Sequence, residues 1–315
     1  SRDIAESFAM ILFNLSLKQS ELNEREATVD KLQALHEHFP NSRDIALNYA
    51  MILFNLSAEQ PELNELKATV DKLQALHEQF PDSRDIAESF AMILFNLSAE
   101  QSELNEQEVA ADKLQALHEQ FPDSRDIAES FARILFNLSL KQSELNEREA
   151  TVDKLQALHE KFPDSRDIAE SFAMILFNLS AEQPELNEQE VAADKLQALH
   201  EQFPDSRDIA ESFAMILFNL SIKKTEVRES EATVEKVQKL HGDFPKSEII
   251  AFIYGVFLAS LYDHQTEVDE RLQTTETIKK SMNNFPNLCY KFLIIYFFIM
   301  IKFASVRNIS YSTLS

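Results

Sequence analysis

One 41-residue segment recurs along almost the whole chain. Serine stands at Ser1, Ser42, Ser83, Ser124, Ser165, Ser206 and Ser247, and a Phe-Pro pair closes each interval, from Phe39-Pro40 to Phe285-Pro286. An unbroken period over seven copies is the signature of a repeat architecture. Each unit of such a chain buries its apolar face only against its neighbours, so one unit and its junction with the next decide the fold.

The unit Ser83–Asp123 can be sorted residue by residue. From Arg84 to about Ser98, the residues Ile86, Phe90, Ile93 and Leu97 fall at helical spacing and form one apolar stripe. Ala87, Ala91 and Leu94 form a second stripe beside it, which predicts a helix packed on two sides. The column Ala5, Ala46, Ala87, Ala128, Ala169, Ala210 and Ala251 is unbroken, and the column through Ala91 ends in Gly255. Small side chains let helix axes approach closely, so these columns are expected where successive units touch. A break is expected from Ala99 to about Ser102, where two copies carry Pro61 and Pro184. A second, half-solvated helix follows from about Glu103 to Gln120, with Leu104, Ala111, Leu114, Leu117 and Phe121 as its apolar residues. Pro122 stops it, and the polar Asp123-Ser124 starts the next helix. The predicted fold class is all-α: an α-solenoid, a right-handed superhelix of stacked antiparallel helical hairpins in seven 41-residue repeats over residues 1–287.

The unit resembles the tetratricopeptide repeat. Phe90-Ala91 matches its large-small pair in the first helix, and Ala110, Leu114 and Pro122 match the small residue, leucine and closing proline of the second. The resemblance covers Ser1 to Asn287. The family unit has about 34 residues, and longer helices would absorb the difference. In that family the corresponding face of the first helix lines a concave surface and takes peptides. By resemblance the peptide-binding residues here are Met51, Asn55, Met92, Asn96, Arg133, Asn137, Met174 and Asn178. Methionine adapts to varied apolar partners, and asparagine amides pair with an extended backbone. A plainer reading makes the methionines and Phe95 core and has the asparagines bond neighbouring turns or one another. Arg133, which replaces methionine in a single copy, argues for solvent at that row, because a guanidinium is seldom buried unpaired.

Charge and composition narrow the function classes. With 30 basic against 53 acidic residues the net charge is −23, which disfavours nucleic acid and anionic membrane and favours a basic partner. Two glycines leave almost no room for phosphate-cradling loops. The lone cysteine, Cys289, excludes an intrachain disulfide framework and a cysteine zinc site, which points to a reducing, cytoplasmic setting. The start SRDIAES shows no secretory signal and no methionine, and it lies in repeat register, so a fragment or processed product is expected. No catalytic motif is present, and carboxylates that follow the period read as a solvated face rather than one constellation. The expected protein is therefore not an enzyme, and no cofactor or metal is called for.

Two periodic features remain. His36, His77, His118, His159, His200 and His241 form a row that is open to a metal ladder or a pH switch. One histidine per unit is poor ligand spacing, so they are expected as helix-surface residues near a C-terminus, where an imidazolium suits the dipole. Asn-Leu-Ser triplets match a glycosylation acceptor but lie inside a helix, so they read as chance repeated by duplication.

The copies are nearly identical until about Ile222, and the later ones diverge as a terminal cap should. Residues 288–315 form a separate apolar tail, with ten apolar residues from Phe292 to Ile301 between Lys291 and Lys302. This run is shorter than the roughly 20 residues of a membrane span. A buried or self-associating helix, a short membrane contact within 288–306 and an altered reading frame all stay open. Two functions are expected from the whole: a protein scaffold that binds an extended peptide or helix along the concave face, and alternatively a self-assembling structural element, a homo-oligomer joined through the tail.

Overall fold

The computed structural model describes residues 1–57, 63–101, 103–182, 185–223, 227–264 and 271–278. The expected tail, with Cys289 and the run from Phe292 to Ile301, lies outside the described residues, as do Pro61 and Pro184. Among the described residues there is no strand, and the chain is a succession of helices. They are α1 (Arg2–Ser16), α2 (Leu22–His38), α3 (Arg43–Ser57), α4 (Leu63–Gln79), α5 (Arg84–Glu100), α6 (Leu104–Gln120), α7 (Arg125–Ser139) and α8 (Leu145–Lys161). The series continues with α9 (Arg166–Glu182), α10 (Leu186–Gln202), α11 (Arg207–Lys223), α12 (Val227–Asp243) and α13 (Glu248–His264), and 271–278 is helical too. The chain divides into two compact units, Ser1–Phe172 and Ala173–Ser315, with the division inside α9.

In the first unit the helices pair as α1/α2, α3/α4, α5/α6 and α7/α8, each pair packed together and joined by a short, antiparallel connection. First helices stack on first helices, α1 on α3, α3 on α5 and α5 on α7, and each also packs on the second helix of the hairpin before it. In the second unit α11 packs with α12, and α13 packs on both. Each unit is thus an all-α solenoid of stacked hairpins.

The helix ends follow from the Phe-Pro-Asp-Ser turn. Phe121 N–H donates to Leu117 O at 2.9 Å, and Ser124 N–H then donates back to Phe121 O at 3.0 Å. That is a β-turn with proline at its second position, where a fixed φ is favourable. Ser124 Oγ next accepts from Ile127 N–H at 3.3 Å and caps α7. No described residue has positive φ, so the turn needs no glycine and the chain can do with two.

In several copies a side chain of the second helix holds the end of the first. Gln107 Nε2 donates to Ser98 O at 2.8 Å and to Gln101 O at 3.1 Å, closing the end of α5. In the copies where α1 and α7 stop earlier, arginine stands at that position, and Arg25 Nε donates to Gln19 O at 2.8 Å.

The core lies where the two stripes predict. Ile86, Ala87, Ala91 and Ile93 have no exposed surface, and Phe90, Leu94 and Leu97 show at most 7%. The second helix buries less: Ala110, Ala111, Leu114, Leu117 and the polar Gln107. Leu104 and Phe121, expected in its apolar set, are only half-buried. The first copy shows what stacking contributes. Ile4, Phe8, Ile11 and Leu15 of α1 are 71%, 46%, 58% and 46% exposed, whereas Ile86, Phe90, Ile93 and Leu97 are covered by α3 and α4. At about 25 cal/mol per Å² of apolar surface, each such side chain contributes about 1.5–3 kcal/mol when covered.

Candidate functional site

Once the buried stripes of the first helix are set aside, one row of side chains remains open in consecutive hairpins. In the first unit Met51, Phe54 and Asn55 of α3 are half-buried, as are Met92, Phe95 and Asn96 of α5. Phe136 and Asn137 of α7 repeat this, with Arg133 exposed at the methionine position. In the second unit Met174, Asn178, Met215 and Asn219 are half-buried as well. The plainer expectation, in which the methionines and Phe95 are core, does not hold: every one of these side chains keeps solvent access. Nor do the asparagines bond one another, because no described side-chain hydrogen bond joins Asn55, Asn96 and Asn137 in a ladder.

Arg133 is not the free cation that its exposure would suggest. Its Nη2 donates to Asp167 Oδ2 at 2.7 Å, and its Cζ lies 5.6 Å from the ring centroid of Phe95. It therefore ties the third, fourth and fifth copies together on the open row. An ion pair this exposed is worth little stability.

A groove of about 240 Å³ lies on the other side of the hairpins, between α6 and α8. Phe131 and Leu135 of α7 floor it, and Glu108, Asp112 and Glu147 stand at its rim beside Lys154. The sequence reading missed it. Its signal was Ala111, a position that is alanine again at Ala193 and valine at Val29, Val70, Val152 and Val234, since the smaller side chain leaves more space.

The histidine row departs most from expectation. His77 lies 6.0 Å from the ring of Phe90 and 6.3 Å from that of Phe121, both in the next hairpin. His118 sits the same way against Phe131 and Phe162 at 6.1 and 6.4 Å, and His200 against Phe213 and Phe244 at 6.2 Å each. These are junction residues rather than helix-surface ones. Burial pushes the imidazoles of His36, His77, His118, His200 and His241 below their ordinary value, the reverse of a stabilised imidazolium. Among the described residues no three His, Cys, Asp or Glu side chains come together as metal ligands would. No described helix is long and apolar enough to cross a membrane.

No family model matches the chain, and no curated protein matches it. Among solved structures it is similar to a tetratricopeptide repeat protein from Parabacteroides merdae, with 13% identity and a TM-score of 0.47 over 93% of this chain and 98% of that one. It is similar also to a thermophilic tetratricopeptide repeat protein of Thermus thermophilus, with 13% identity and a TM-score of 0.41 over 66% of this chain and 98% of that one. A human IFIT1 dimer with PPP-AAAA matches at 13% identity and a TM-score of 0.37, over 89% of this chain and 64% of that one. The chain's own helices and their pairing make it an all-α protein of repeated helical hairpins.

Proposed function

We propose that the chain is a non-catalytic scaffold that holds an extended peptide, or a helix of a partner protein, along the open row of its first helices. The observation that carries this reading is the contrast within one helix. Met92, Phe95 and Asn96 keep solvent access in a helix whose Ile93 and Leu94 are at most 1% exposed. A soluble surface gains nothing from half-exposed methionine and phenylalanine at every step. A partner's apolar side chains would cover them while the asparagine amides pair with its backbone. The net charge of −23 favours a basic partner, and the near-identity of the copies favours one that presents the same chemistry at regular intervals. A cytoplasmic location belongs to the same reading.

The test uses fluorescently labelled, lysine-bearing peptides with regularly spaced apolar residues, titrated by anisotropy against the full chain. Binding is expected to weaken at least tenfold when Met51, Met92 and Met174 are changed to Arg together. It should also fall with added salt as the acidic surface is screened. Equal affinity of the triple variant, or no binding by any such peptide, would overturn the proposal.

A further inference from the structure

The row histidines join neighbouring hairpins, and their ring nitrogens are not equivalent. His36 Nε2 lies 3.1 Å from Gln79 Oε1, while Gln79 Nε2 donates to Pro40 O at 2.7 Å. The glutamine oxygen is therefore the acceptor, and it fixes the imidazole as the Nε2–H form. The other nitrogen, Nδ1, faces inward. In His36, His77, His118, His200 and His241 it is buried, with no hydrogen-bond partner among the described residues. Rings of the next hairpin flank the imidazole: Tyr49 and Phe80 at His36, Phe90 and Phe121 at His77, and Phe131 and Phe162 at His118.

We propose that each of these histidines is a proton-released latch between hairpins, in which mild acid adds a proton at Nδ1 and loosens one repeat from the next. The added N–H has no acceptor within the ring contact, and the positive charge must be held against apolar neighbours. Both effects favour separation of the junction, where water solvates the imidazolium. A row of such latches makes the cohesion of the stacked hairpins within each unit respond to pH, because adjacent hairpins stabilise one another.

The charged groups around each latch differ, and so will the pH at which each releases. On its own helix every latch is followed by a carboxylate, Glu37, Glu78, Glu119 or Glu201, except at His241 with Gly242. From the facing hairpin, His36 and His77 meet the neutral Gln79 and Gln120. His118 meets Lys161, whose charge opposes a second positive charge, whereas His200 meets both Asp243, which favours it, and Lys239. Burial sets the common direction, the residue in the last turn of the facing second helix adjusts each threshold, and His200 should release at a higher pH than His118.

The experiment follows the histidine ring signals of the full chain by NMR, together with its thermal midpoint, from pH 7.5 to 5.0. The row signals should titrate below the ordinary histidine value, and the midpoint should fall over the same range. The variant His77→Phe/His118→Phe fills two junctions with rings that take no proton. It should lower proton uptake on unfolding by up to two protons between pH 6.5 and 5.5. Lys161→Asp and Asp243→Lys change exposed residues and leave the core intact, so they decide the matter if the phenylalanine variant does not fold. The first should raise the pH at which His118 titrates, and the second should lower that of His200. Row signals that titrate at or above the ordinary value, or that ignore both charge reversals, would overturn the proposal.

Discussion

Ser124 donates its hydroxyl to Glu88 Oε1 of the preceding hairpin at 2.7 Å, and Arg84 Nε holds the same oxygen at 2.7 Å. The serine–glutamate bond recurs at Ser42 with Glu6, Ser165 with Glu129 and Ser247 with Glu211, each at 2.7 Å, and Arg2 and Arg207 hold Glu6 and Glu211 as Arg84 holds Glu88. One serine thus caps its own helix with a lone pair and ties that helix to its neighbour with its proton. The second copy breaks the pattern, because Leu47 stands where Glu6, Glu88, Glu129, Glu170 and Glu211 stand in other copies. The hydroxyl that would have met it, Ser83 Oγ, is buried and has no partner among the described residues.

That gap predicts a stabilising change. Leu47→Glu, with Arg43 already at the register position of Arg84, gives the Ser83 hydroxyl an acceptor. The melting temperature should rise by roughly 1–2 °C, the effect of one net hydrogen bond of about 1 kcal/mol in a chain of this size. Differential scanning calorimetry checks it, and Glu88→Leu should lower the midpoint in turn.

The Glu6 carboxylate of this set predicts a second acid window, separate from that of the histidines. Ser42 and Arg2 hold the Glu6 carboxyl below its ordinary value of 4.5. A carboxylate favoured in the folded state stabilises it above the unfolded value, and that contribution is lost as pH falls through the folded one. Acid unfolding followed by circular dichroism should therefore lose stability first below about pH 6.5, where unfolded histidine takes up protons. The carboxylate contribution should go only below about pH 4.5. Changing Glu6 to Gln should remove part of the later loss and leave the earlier one in place.

The alanine columns are tested by enlargement. Ala91 has no exposed surface where α5 meets its neighbours, so Ala91→Leu should cost about 1–3 kcal/mol by urea titration. Ala116 lies on the exposed side of α6, and Ala116→Leu should change stability by less than about 0.5 kcal/mol.

Much of this architecture was legible in the sequence because it is local. The Ser cap, the Phe-Pro turn and the stripes through Ile86 and Ala87 each lie within one helix or one turn, where spacing alone reports geometry. The Ser124–Glu88 tie spans 36 residues, and the sandwich at His77 depends on Phe90 and Phe121 from the next copy. Periodicity shows that these residues recur but not which one touches which across a junction. For that reason the histidines read as surface residues. The same limit applied at the open row. Arg133 marked its exposure from sequence, while its partners Phe95 and Asp167 lie in different copies and were not foreseen.

Arg133 also makes one position a control. Arg133→Met restores the common residue and removes an exposed ion pair, so stability should change by less than about 1 kcal/mol in urea unfolding. Affinity for apolar-spaced peptides should increase, because the row of the first unit then carries methionine at each of its steps from Met51 through position 133.

The most direct test of the scaffold reading is methyl NMR on the full chain with isotope-labelled methionine, titrated with a lysine-bearing, apolar-spaced peptide. The account predicts that the methyl signals of Met51, Met92, Met174 and Met215 shift together and saturate with the peptide. Peptide binding that leaves these four signals unmoved would contradict it, as would the absence of any binding.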